Sequence, residues 1–251
     1  MTEPGRRVLP VLGSPIDAIA FDDAVRRIGA WSAARESRCV CICNVHSVVT
    51  ATQDEAFRRA VAEADLATPD GAPVAWMLRR QGAAGQRRVS GPDLMLACLA
   101  DAERRGTSVY LYGSTEATLA ALQAALRGRF PRLRIAGSES PPFRAATPDE
   151  DRATVARINA SCAGSVWVSL GCPKQELWMA AHRGRVQAVM VGVGAAFDFH
   201  AGTVARAPAW MREHGLEWLH RLATEPRRLW RRYLYTNTRF LWLAARQWLR
   251  R

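Results

Sequence analysis

Several turns in this 251-residue chain carry residues able to do chemistry, and most of them close a short apolar run. In A-D-L-A-T-P-D-G, Asp70 stands between a proline and a glycine. P-D-G is a common turn signal, yet a carboxylate at a strand end is also placed to serve as general base over a bound hydroxyl. In R-V-S-G-P-D, Arg88 offers phosphate a planar fork, and Ser90-Gly91-Pro92 reads as a helix start. In Y-L-Y-G-S-T-E, Gly113 permits close backbone approach, and Ser114 or Thr115 caps a helix whose exposed N–H groups attract phosphate. In S-L-G-C-P-K-Q-E, Gly171 and Pro173 shape a sharp strand exit, and Gln175 presents an amide that both donates and accepts. Lys174, the only lysine of the chain, either assists with phosphate charge or faces solvent. In G-V-G-A-A-F-D-F-H, Asp198 is placed to accept from a ribose or base, or to cap a helix. Taken singly, each of these also reads as an ordinary turn.

Other chemistries lack their patterns. Neither GxGxxG nor GxxxxGK[ST] occurs, so no dinucleotide fingerprint or P-loop is claimed. GxSxG and HExxH are absent too, which gives no support to a hydrolase elbow or to a zinc site of that kind. His46, His182, His200, His214 and His220 are expected to be surface or packing residues. No cofactor is expected.

The elements that must hold these turns alternate. Strand-like runs at 40–45, 108–113, 133–138, 165–171 and 188–194 are interleaved with helical stretches at 47–64, 116–129, 148–161 and 175–183. That order predicts an α/β fold, a Rossmann-like and mainly parallel sheet with helices on both faces. In such sheets ligands sit at the carboxyl ends of strands, so Asn44, Asp70, Gly113, Gly171 to Gln175 and Gly194 to Asp198 are expected to line one crevice. Cys39, Cys41 and Cys43 alternate along one run and read as buried free thiols on one sheet face, consistent with a reducing cytoplasm. The first dozen residues read as a loose arm.

Character changes near Pro208, which divides an α/β core (1–207) from a C-terminal helical appendage (208–251). From Ala201 onward there are 11 Arg against 3 acidic residues, an excess of +8 within a net charge of +12. A pI near 10.6 implies a polyanionic partner, and the charge distribution brings that partner to the C-terminus. Pro226 breaks this segment into two helical pieces. On a helical wheel Arg228, Arg232, Arg239, Arg246 and Arg250 fall within about 40° of one another, opposite Trp230, Leu234, Leu241 and Trp248. This basic amphipathic helix either packs on its own domain or lies on a membrane surface. With no basic-then-apolar leader and no uncharged run of about 18 residues, the chain is expected neither to cross a membrane nor to be exported by that route.

In order, the motifs N-V-H-S-V-V, A-D-L-A-T-P-D-G, R-V-S-G-P-D, Y-L-Y-G-S, G-C-P-K-Q-E, G-A-A-F-D-F-H-A-G, R-A-P-x-W-M and G-L-E-W-L-H-R-L-x-x-E-P-R-R-L resemble the WecG/TagA/CpsF family of bacterial glycosyltransferases. The resemblance spans about Val40 to Leu241. It implies inverting, metal-independent transfer of a sugar from a UDP-sugar to a polyprenyl-diphosphate-linked saccharide, in cell-surface or exopolysaccharide biosynthesis, at the cytoplasmic membrane face. By position, Asp70 matches the family's catalytic base and Arg88 the arginine near its active site. Asn44, Gly113, Ser114, Gln175 and Asp198 match nucleotide-sugar contacts, and Arg221, Arg228 and Arg231 match appendage arginines over the diphosphate. Where some members have a threonine two residues before that asparagine, this chain has Ile42, so a hydroxyl contact is missing or supplied elsewhere. The partners implied are the donor, the lipid-linked acceptor and an anionic membrane surface, with a homo-oligomer left open. Two other readings stand beside this one: a basic nucleic-acid-binding protein, suggested by pI and by Arg interleaved with aromatics, and an inactive scaffold of glycosyltransferase fold. No nucleic-acid motif supports the first of these.

Overall fold

The computed structural model describes residues 6–249, apart from the side chain of Arg228. Runs of alternating or continuous apolar residues become six parallel strands: β3 (Arg38–Cys43), β4 (Leu66–Pro69), β5 (Ser108–Gly113), β6 (Arg134–Glu139), β7 (Ser165–Ser169) and β8 (Val189–Gly192). Their order is β4-β3-β8-β7-β5-β6, and every pairing is parallel. All six carboxyl ends therefore share one rim.

Each face of the sheet is covered. The side of Val40, Ile42, Val109 and Leu111 packs against α1 (Phe21–Ala33), α5 (Gly91–Arg105), α6 (Glu116–Arg129) and α9 (Ala196–Ala201). The other side carries Cys39, Cys41 and Cys43, all buried as free thiols, and packs against α2 (Val45–Ala51), α3 (Glu55–Ala62), α4 (Ala72–Arg80), α7 (Pro148–Ala160) and α8 (Lys174–His182). The strand at 108–113 and the helix at 116–129 lie where their periodicity predicts. The stretch 47–64 does not form one helix. It breaks after Ala51, and Asp54 caps α3 by accepting from the N–H of Phe57.

The expectation of a loose N-terminal arm is overturned for residues 6–12; the first five residues lie outside the described part. Val8–Val11 (β1) and Ser14–Asp17 (β2) pair antiparallel through a turn at Leu12 and Gly13, both at positive φ. Val11 and Ile16 are fully buried. Asp17 anchors the hairpin by accepting from Arg6 and from the N–H of Ala67 at 2.7 Å. Burial of two aliphatic side chains together with a satisfied buried carboxylate outweighs the weak strand signal of so short a segment.

Beyond Pro208 come α10 (Ala209–Glu213), α11 (Glu217–Thr224) and α12 (Pro226–Leu249), with the break at Pro226 as expected. Leu229, Thr236, Phe240 and Ala244 form the buried row of α12. This row runs between the arginine stripe and the Trp230, Leu234, Leu241, Trp248 stripe; Arg250 lies outside the described residues. The end of α12 is clipped to the hairpin, where Gln247 accepts from the N–H of Leu12 and donates to the carbonyl of Pro10. Trp248 stacks on Trp76 with ring centroids 5.1 Å apart. Leu234 and Leu241 are left 64% and 68% exposed, with Trp210 and Trp242 also open to solvent. No helix among the described residues is long and apolar enough to cross a membrane.

Candidate active site

Asp70 begins the turn after β4. Its N–H donates to the carbonyl of Cys43 at 2.9 Å, tying the ends of β4 and β3 together, and its carboxylate accepts from the N–H of Gly71. Burial, then the nearby Glu217 carboxylate, pushes the Asp70 carboxyl up to about 6, against the opposing pull of Arg88 and the Gly71 N–H. A carboxyl whose proton affinity is raised, yet which is ionised at neutrality, is suited to accept a proton from an alcohol.

Arg88 reaches this carboxyl because its segment is hooked to β4: the N–H of Val89 donates to the carbonyl of Pro69 at 2.7 Å. The next three residues start α5, with Ser90 at the N-cap position and Pro92 in the first turn. Arg88 donates to Glu217 of α11 at 3.0 Å, and both side chains are largely buried, 20% and 17% exposed. The Glu217 carboxylate also accepts from Arg206 at 3.4 Å. Arg206 in turn donates to Asp93 at 2.7 Å and to Ser90, and Arg212 lies 3.5 Å from Asp93. Close approach permits this ladder. Gly215, at φ +74, lies so near α4 that a Cβ there would come 2.8 Å from the Cβ of Ala72.

The remaining predicted residues follow along the rim. Asn44 caps α2, its side-chain oxygen accepting from the N–H of Ser47, and is exposed. Beside it, the His46 imidazole is pushed down to about 4 by burial, with Arg232 adding to the effect, so it is neutral at physiological pH. Gln175 is buried over the end of β8, where a Cβ on Gly192 would lie 3.0 Å from its amide nitrogen. Its nitrogen donates to Glu176 at 3.0 Å, and its oxygen has no partner among the described residues. Gly113 and Ser114 both have positive φ, and the Ser114 N–H donates to the carbonyl of Ser169 at 2.9 Å. Thr115, not Ser114, caps α6. Lys174 is exposed at the first residue of α8. Asp198 lies in the first turn of α9, half-buried.

Arg221 places its guanidinium over the ring of Phe199, 5.4 Å from its centroid and one residue from Asp198. Its Nε, like that of Arg212, is buried with no acceptor among the described residues. Arg231 is exposed and lies over the neighbouring Trp230 ring. The side chain of Arg228 falls outside the described part. The structure thus groups Asp70 with Arg88, sets Asn44, Gln175, Gly113 and Ser114 along the same rim, and sets Arg221 over Phe199, the residue after Asp198.

Sequence reasoning passed over four participants. Glu217 and Arg206 were visible in G-L-E-W and R-A-P, but nothing local shows that they meet Arg88. Glu176 is buried beside Gln175, and burial pushes its carboxyl up to about 7. Thr68 pairs in register with Ile42, and its fully buried hydroxyl has no partner among the described residues. The family model described as Glycosyl transferase WecG/TagA/CpsF family matches residues 9–251, from β1 to the end of the chain.

Proposed function

The chain belongs to the WecG/TagA/CpsF glycosyltransferase family, and on that premise we propose that it moves a sugar from a UDP-sugar to a polyprenyl-diphosphate-linked saccharide, with inversion, in cell-surface polysaccharide biosynthesis. The observation that carries this reading is the half-buried Asp70 carboxyl, raised to about 6 with Arg88 among the charges acting on it, and the guanidiniums of Arg206 and Arg212 gathered at Asp93. Such donors match the oxygens of a diphosphate.

The reaction is a single displacement. An acceptor hydroxyl attacks the anomeric carbon and its proton passes to the Asp70 carboxylate as the new C–O bond forms. The bond from the anomeric carbon to the diphosphate oxygen breaks, and UDP departs carrying the electron pair. Arg88 and the C-terminal arginines take up the charge that develops on that oxygen, in a site whose walls are already organised. In this reading arginines rather than a divalent cation neutralise the leaving group. Asp70 at the end of β4 lies four strands from Gly113 on β5. At roughly 4.8 Å per strand that is about 19 Å, room for a nucleotide along the β7 and β5 ends with its sugar toward Asp70. Residues 208–251 serve as the membrane-association appendage. Their exposed Trp210, Leu234, Leu241 and Trp242 enter the interface while neighbouring arginines face anionic headgroups, each worth about 1 kcal/mol. The protein then works peripherally at the cytoplasmic face.

A screen of UDP-sugars with a polyprenyl-diphosphate disaccharide analogue, read by UDP release with and without chelator, tests this. Turnover with one donor, unaffected by chelator and lost in Asp70→Ala, is expected. Release that persists in Asp70→Ala overturns the assignment of the base.

A further inference from the structure

The ladder joining the C-terminal helices to the core contains a carboxylate that the transfer reaction itself does not require. Glu217 stands in the first turn of α11, and its two oxygens accept from guanidiniums on two different segments, Arg88 at 3.0 Å and Arg206 at 3.4 Å. Arg206 is itself held by Asp93 at 2.7 Å and by Ser90. Charges therefore alternate along Arg88, Glu217, Arg206 and Asp93, crossing from the segment after α4 through α11 to α5. An arginine held by a carboxylate on one side loses less freedom when a phosphate engages its remaining N–H groups.

The Glu217 charge also acts on Asp70. The groups around that carboxyl are Arg88 from its own side, Glu217 from α11, Asp93 from α5 and the Gly71 N–H from the start of α4, with Arg206 and Arg212 one contact further out. Of the charged groups, Glu217 has the largest effect on Asp70, and it favours the protonated form. Two carboxylates so near share a site in which one is harder to ionise.

We infer that Glu217 is a positioning residue: seated on the core by α11, it holds the Arg88 guanidinium in the orientation in which its remaining N–H groups meet the leaving diphosphate. The inference rests on the proposed transfer and names what positions its phosphate-binding arginine.

Glu217→Gln keeps a side-chain oxygen able to accept from Arg88 and removes the charge. The acid limb of kcat/KM against pH is expected to move to lower pH, with kcat above neutrality falling about tenfold as the weaker base follows Brønsted behaviour. Glu217→Ala is expected to show the same displacement and, in addition, a KM for UDP-sugar raised severalfold, because Arg88 loses its anchor. A carbon-13 NMR titration of the Asp70 carboxyl in wild type and Glu217→Gln reads the same shift without turnover. A KM for UDP-sugar unchanged in Glu217→Ala, with folding intact by circular dichroism, overturns the inference. Failure of the proposed function has a different signature: no transfer with any donor, while UDP still binds Glu217→Ala more weakly than wild type in calorimetry.

Discussion

A Cβ placed on Gly113 would lie 2.3 Å from the carbonyl oxygen of Ser169, where strands β5 and β7 end side by side. That distance is within covalent-scale overlap, and the backbone there is at φ +114, which L side chains rarely adopt. Glycine at this point sets how closely the two strand ends approach and so how the rim is shaped where Ser114 bonds to Ser169. Gly113→Ala is expected to destabilise the fold by at least about 2 kcal/mol through strain and overlap together. Urea unfolding checks it, and a midpoint equal to that of wild type would show that the rim opens at little cost.

Asp70→Asn separates catalysis from stability. Transfer is expected to fall at least about a hundredfold, since the amide cannot take the acceptor's proton. The folded carboxyl keeps its proton up to about pH 6, whereas an unfolded aspartate releases it near its ordinary 3.8. The folded protein therefore binds more protons between those values, and stability declines as pH rises through that window. Asparagine carries no such penalty, so the variant is expected to melt higher than wild type at about pH 8, by up to about 3 kcal/mol, with the difference closing below about pH 4. Melting curves that coincide at alkaline pH would contradict the buried-carboxyl reading.

Arg88→Lys keeps the charge and loses the fork. A lysine cannot hold Glu217 and a phosphate oxygen in one plane, so kcat/KM for the donor is expected to drop roughly ten- to a hundredfold with the melting temperature nearly unchanged. Steady-state kinetics with varied UDP-sugar decide it, and wild-type kcat/KM would remove Arg88 from the site.

Removing the C-terminal segment from Pro208 tests membrane binding poorly, because truncation also strips Leu229, Phe240 and Ala244 from the core. The outer face of α12 offers a cleaner change. Leu241→Ser with Trp242→Ser alters side chains already 68% and 57% exposed. Sedimentation with vesicles containing anionic lipid is expected to weaken at least tenfold, by lost apolar insertion, while the melting temperature and turnover of a water-soluble acceptor stay at wild-type values. Undiminished sedimentation would assign membrane contact, if any, to another surface.

Much of the molecule was legible because its signals are local. An apolar run such as Ser108–Gly113 followed by an amphipathic stretch such as Glu116–Arg129 specifies strand and helix by period alone, and their repetition specifies a parallel sheet. A parallel sheet puts every strand end on one rim, so Asn44, Asp70, Gly113 and Gln175 were placed together by topology before any side chain was seen. The motif order carried the family.

Relations between distant segments required the tertiary structure. Arg88 and Glu217 stand 129 positions apart, and their 3.0 Å contact depends on α11 folding back over the β4 turn. A helical wheel found two stripes on α12, but both flank the buried row, because the core partner lies between them. The hairpin at Val8–Asp17 is too short for periodicity to register, and burial of Val11 and Ile16 supplies what its local signal lacks. Sequence by itself determined the main alternation of strands and helices and the family they compose, since both follow from patterns within a few residues of each other. The proton affinity of Asp70, the partner of Arg88 and the exposed face of α12 were decided by chain closure, which brings together charges and surfaces that no local pattern encodes.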